Sequence, residues 1–145
     1  MGSLTHSRPP VPSAEQQRWT LHSAHELRDL RRSLFEALTG RSFPSGGSLE
    51  DVPEKMVLVA SELATNAIRH GLPPSIIRLL RAGDSFVLDV ADHDKYVSPT
   101  YADGRDPGEG GLGLRLAEKL SLDVGWYIDD EAGTKHVWAQ FPASA

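Results

Sequence analysis

At residues 62, 66 and 70 the chain places a carboxylate, an amide and an imidazole at four-residue intervals, Glu62, Asn66 and His70. On an α-helix each such step turns about 40°, so the three side chains form one polar stripe. An acid one turn from an amide oxygen is what a magnesium-nucleotide site requires, a base to take a proton and an oxygen to hold a hard cation. A solvated helix face can carry the same stripe, so the rest of the chain must decide. A second candidate is Asp92, which ends the apolar run Val90-Ala91-Asp92. A carboxylate at a strand end can accept a hydrogen bond from an exocyclic amine such as that of adenine, or can simply be solvated. A third is the cluster Gly108-Glu109-Gly110-Gly111-Leu112-Gly113. Glycines at a helix start leave backbone N–H groups open at the positive end of the dipole, which suits phosphate; a plain loop closing on a helix is the bland alternative.

Several chemistries are excluded by pattern. The glycine cluster matches G-x-G-x-x-G formally, but no strand leads into it and too little chain follows for further βαβ units, so it is not a dinucleotide fingerprint. A G-x-x-x-x-G-K-[ST] phosphate loop is absent, as are H-E-x-x-H and G-x-S-x-G. With no cysteine there is no disulfide framework, thiolate zinc site or thiol nucleophile. Zinc would rest on His70 or on His93 with its neighbours Asp92 and Asp94, without the spacing that three or four ligands need. A net charge of -5 argues against non-specific nucleic-acid binding, which leaves a basic footprint. No apolar run approaches a membrane span and the N-terminus lacks the apolar core of a secretory signal, so the expected location is cytoplasmic, with no membrane partner.

The elements that must position these residues are legible from caps and periods. Residues 1–14 are rich in proline and serine and read as a flexible N-terminal lead; residues 15–145 are expected to form a single domain, the size one core supports. A short strand is expected around Trp19 to Leu21. Ser23-Ala24-His25-Glu26 has the form of a capping box, and Leu27, Leu30, Leu34 and Leu38 continue as an apolar stripe to Gly40, which predicts a helix over 23–39. A second helix is expected from Asp51 to about His70, its core side made by Met56, Val59, Leu63 and Ala67, with the polar stripe bordering it. Residues 76–80 and 86–91 read as a hairpin, 94–111 as a lid-like loop, 112–120 as a short helix, and 124–129 with 134–141 as a second hairpin. Hairpins separated by helices predict an α/β (α+β) two-layer sandwich, a mostly antiparallel mixed sheet covered on one face by helices.

Taken in order, the Glu62-x-x-x-Asn66 helix, the strand-end Asp92, the glycine-rich lid and the Gly133-Thr134 strand resemble the four boxes of the GHKL or Bergerat-type ATPases. The likeness is greatest to the small bacterial anti-sigma-factor serine kinases of stress response and sporulation and runs over residues 19–141. It rests most on Ser61-Glu62-Leu63-Ala64-Thr65-Asn66-Ala67-Ile68-Arg69-His70-Gly71 and on Gly133-Thr134-Lys135-His136-Val137-Trp138-Ala139-Gln140-Phe141.

The resemblance implies the Bergerat ATP-binding fold, with ATP and Mg²⁺ as cofactors. Asn66 would hold the metal against the phosphates, Glu62 would be the general base, and Asp92 would read the adenine amine. Gly111 and Gly113 would contact phosphates, Thr134 would close the base pocket, and Arg69, His70 and Arg105 are phosphate-side candidates. It further implies a serine/threonine-protein kinase acting as an anti-sigma factor, with an anti-anti-sigma-type protein as substrate, a sigma factor as partner, and a homodimer. Two departures favour an alternative, a catalytically inactive nucleotide-binding or protein-binding regulator of the same fold. Asp92 is followed by His93-Asp94-Lys95-Tyr96 where D-x-G-x-G is usual, and Glu109 puts an anion beside the expected phosphate path. A histidine-kinase catalytic domain is a third reading, disfavoured because no dimerisation helix with a phospho-accepting histidine precedes the domain.

Overall fold

A computed structural model describes residues 4–40, 52–94 and 112–143. The chain runs β1 (Ala14–Leu21), a 3₁₀ turn (Ala24–Glu26), α1 (Leu27–Thr39), α2 (Val52–His70), β2 (Ser75–Ala82), β3 (Ser85–Asp92), α3 (Leu112–Leu120), β4 (Asp123–Asp129) and β5 (Thr134–Pro142). The strands form one five-stranded sheet in the order β1-β2-β3-β5-β4, and every neighbouring pair is antiparallel. All three helices pack on one side of it, giving the expected two-layer α+β architecture.

Local sequence explains the helix ends. Glu26 Oε1 accepts the backbone N–H groups of His22 (2.8 Å) and Ser23 (3.3 Å), so the capping-box carboxylate takes donors that a helix start leaves unpaired. Gly40 closes α1 at φ +72°, a left-handed conformation that a Cβ would strain. From α1, Leu30 and Leu34 are buried in the core; from α2, Met56, Val59, Leu63 and Ala67 are buried in it too. They meet Ile77 and Leu79 of β2, Leu88 and Val90 of β3, and Ala139 and Phe141 of β5.

The opposite face of the sheet is not bare. Asp89, fully buried, accepts from Tyr127 Oη (2.9 Å) on one oxygen and lies 2.6 Å from His136 Nδ1 on the other, with Arg78 at 3.5 Å. Burial and the adjacent Asp89 charge push the Tyr127 hydroxyl far above its usual range. Residues 4–8, part of the stretch whose composition suggests a flexible lead, lie along β4. Ser7 N–H donates to Trp126 O (2.9 Å), Trp126 N–H to Thr5 O (3.1 Å), and the Trp138 indole N–H to Ser7 O (2.8 Å). Strand β1 is longer than expected because its residues, AEQQRWTL, are almost all exposed and give no apolar alternation; backbone pairing to β2 defines it.

Candidate functional site

The site is organised by α2. Its flank facing α1 is marked by Ser61, whose Oγ accepts a hydrogen bond from the Arg31 guanidinium at 2.9 Å. At about 100° per residue, Glu62, Asn66 and His70 lie about 100°, 140° and 180° round the axis from Ser61, on the flank turned away from α1. Glu62 and Asn66 are half-buried there, and neither makes a hydrogen bond or ion pair with another described side chain. Two polar groups partly withdrawn from water and unused by the fold are available for a ligand. Arg69 and His70 are exposed at the end of the helix.

The end of α2 lies directly over the end of β3. A Cβ built on Gly71 would sit 2.5 Å from Asp92 Oδ2 and 2.7 Å from Ala67 O, so only glycine lets the carboxylate pass beneath the last helical turn. The crossing is pinned by His93 N–H donating to Leu72 O (3.0 Å), and His93 Nδ1 stands 3.1 Å from Pro74 O. Asp92 is buried, accepts the Asp94 N–H at 2.7 Å on Oδ1, and has Lys135 Nζ 3.6 Å from Oδ2. Burial raises its carboxyl above the ordinary carboxylate range, against the lowering effects of the Asp94 N–H and the Lys135 ammonium.

Cross-strand register assigns faces. Asp92 pairs with Lys135, as Val90 does with Val137 and Leu88 with Ala139, and these pairs face the helices. Thr134, one residue earlier, faces the other way: its Oγ1 lies 2.8 Å from His136 Nε2, within the Asp89 network. The structure therefore sets Lys135, and not Thr134, beside Asp92 on the helix-facing side. The hydroxyl, imidazole and carboxylate of Thr134, His136 and Asp89 are linked in the order of a hydrolase triad. All three are buried within the sheet's back face, which makes them a satisfied structural network instead. Lys135 is the residue that motif reading missed; strict strand alternation counted from Asp92's partner would have found it.

Gly113 lies in the first turn of α3, while Gly111, Arg105 and Glu109 fall outside the described residues. Helix α3 packs its Leu114 and Ala117 into the core shared with α2. Counted from Gly71 at 1.5 Å per residue, Asn66 lies about 7 Å and Glu62 about 13 Å back along the helix. Asp92 beneath Gly71, then Asn66, then Glu62 thus follow one another at increasing distance from the C-terminal end of α2.

The family model for the histidine kinase-like ATPase domain matches residues 21–141, most of the chain. The protein belongs to this ATPase-domain family. No curated protein matches it significantly. Membership fits both the described fold and ATP as ligand. Among the described residues no group of three or more His, Asp or Glu side chains could hold a metal ion, and a magnesium ion carried by nucleotide phosphates asks only one or two oxygen ligands of a protein. The unengaged Asn66 amide oxygen fits that modest demand. No helix among the described residues is long and apolar enough to cross a membrane.

Proposed function

We propose that this ATPase domain is an ATP- and Mg²⁺-dependent serine/threonine-protein kinase that acts as an anti-sigma factor. It would phosphorylate an anti-anti-sigma-type protein and regulate transcription by partner switching, as a homodimer. The observation that carries the kinase reading is the pair Glu62 and Asn66, half-buried on the free flank of α2 and without partners among the described residues, in line with Asp92. Bound Mg²⁺ would supply charge neutralisation on the phosphates, with Asn66 as its protein ligand. Glu62 takes the proton from the attacking serine hydroxyl as that oxygen bonds to the γ-phosphorus. The bond from that phosphorus to the bridging oxygen breaks and ADP leaves. The resemblance to anti-sigma-factor kinases over residues 61–71 and 133–141 supports the partner classes.

The experiment is transfer of radiolabelled γ-phosphate from ATP to a candidate serine-bearing partner. Wild type should label it, and Glu62→Ala should lower the rate by about 10²- to 10⁴-fold while ATP still binds. Absence of transfer by wild type, with ATP bound, would favour the second reading, a catalytically inactive nucleotide-binding regulator. One structural observation favours that reading: the segment after Asp92 is tied through His93 to Leu72 and Pro74, where a glycine-rich box would leave the backbone free to move.

A further inference from the structure

We propose that a cavity at the opposite end of α2 from Asp92 is a second small-molecule site, which takes an organic ammonium ion with an apolar body. The cavity, of about 260 Å³, lies where the end of α1 and the start of α2 meet the paired ends of β3 and β5. Phe35, Leu38, Met56 and Phe86 give it an apolar wall that includes two phenyl rings. Among the described residues, Glu54 is the one charged side chain that lines it. At 1.5 Å per residue, Glu54 stands about 25 Å along the helix from Gly71, so this cavity is separate from the Asp92 site.

Glu54 belongs to the first turn of α2, where a negative charge suits the helix dipole. A solvated carboxylate would serve that purpose. Instead Glu54 is half-buried, its Oε2 is shielded from solvent and accepts no hydrogen bond, and the side chain makes no ion pair with a described residue. A carboxylate oxygen withdrawn from water without a donor is unfavourable, so a donor is what this wall lacks. Polar groups close by are engaged elsewhere. The Thr39 hydroxyl, another lining group, gives its one hydrogen to Phe35 O (2.8 Å). Arg81, whose guanidinium lies over the Phe86 ring at 5.2 Å, donates its Nε–H to Gly83 O (2.8 Å). An organic ammonium ion matches all of this: it meets the carboxylate with a charge-assisted hydrogen bond and a phenyl face by cation–π attraction, while its carbon body fills the rest. A lone carboxylate is too few ligands for a metal ion. Room is sufficient, since about 150 Å³ already holds benzene.

The test adds phenethylammonium chloride to the whole chain and follows the methyl signal of Met56 by NMR of methyl-labelled methionine. The chain has two methionines, and Met56 is fully buried in the cavity wall, so its signal should shift as the probe's ring enters. Phenethyl alcohol keeps the ring and a donor and lacks the charge. Wild type should bind the ammonium ion about tenfold or more tightly than the alcohol, the advantage of a charged donor on a carboxylate. Glu54→Gln keeps the shape and should no longer distinguish the two. The wild-type comparison stands even if the variant fails to fold. An unmoved Met56 signal, equal affinity of wild type for both probes, as a plain apolar cavity would give, or a preference retained by Glu54→Gln overturns the assignment.

Discussion

The carboxyl of Asp92 is held above its ordinary range chiefly by burial, which gives it a definite signature in stability. A folded-state value above the unfolded one means that the native state binds the extra proton. Its stabilising contribution is complete below the unfolded value near 3.9 and is lost as pH rises through the raised folded value. Relative to Asp92→Asn, wild type should therefore lose stability as pH is raised from about 4 towards neutrality. Thermal melts of both proteins across that window test it, and parallel curves would refute it. Nucleotide affinity should move the opposite way, since a protonated Asp92 loses an acceptor. Gly71 gives a second outcome at this scale. Gly71→Ala must displace either the Asp92 carboxylate or the end of α2, and should cost about 1–3 kcal/mol while weakening ATP binding. Gly40→Ala has open space around it and strains only φ, so it should cost about 1 kcal/mol and leave binding unchanged. A denaturant titration paired with calorimetry separates the two.

Among the elements, α2 divides its residues between holding the fold and serving a ligand. Ala60 and Ala64 are fully buried, Ser61 ties α2 to α1, and Glu62 and Asn66 engage no described side chain. Glu62→Ala and Asn66→Ala should therefore leave the melting temperature unchanged or slightly raised, since alanine is the better helix former by a few tenths of a kcal/mol. Ala60→Leu should destabilise by about 1–3 kcal/mol through overpacking. Loss of stability in Glu62→Ala comparable to that in Ala60→Leu would mean that the stripe is structural after all. These elements were legible because helices announce themselves locally: the capping box, Gly40 and the 3- and 4-residue spacing of leucines are signals within the chain. The positions of Glu62 and Asn66 followed from the same signals, and that of Asp92 from the apolar run of β3 that it ends. What stayed hidden depends on partners distant in sequence. The exposed residues of β1 carry no period because β2 supplies their pairing, and the face taken by Thr134 is set by register with β3, which the Gly-Thr motif does not encode.

At the level of the whole molecule, the sheet's β4 edge is closed by the chain's own first residues, and the connection that brings them there has little slack. Ser7 is bonded to Trp126 of β4 and Ser13 to Arg81 of β2. Ser7 lies outside β4 and Ser13 in line with β1, at opposite ends of the strand order. Only six residue steps separate these two anchors, so the connection must run close to fully extended. The strap contains Pro9, Pro10 and Pro12, which hold it extended, and leaves Val11 in solvent. Deleting Pro9 and Pro10 should therefore unseat the segment as effectively as removing residues 1–8, while inserting two glycines after Pro10 should not. An unseated segment uncovers the Trp126 ring that His6 stacks on at 4.6 Å, frees the Trp138 indole N–H and exposes Leu4. Tryptophan emission should shift to the red, and the loss of Leu4 burial alone, about 1.5–3 kcal/mol, should lower the melting temperature by several degrees. Emission and melting temperature unchanged in both shortened chains would mean that the β4 edge does not depend on this strand.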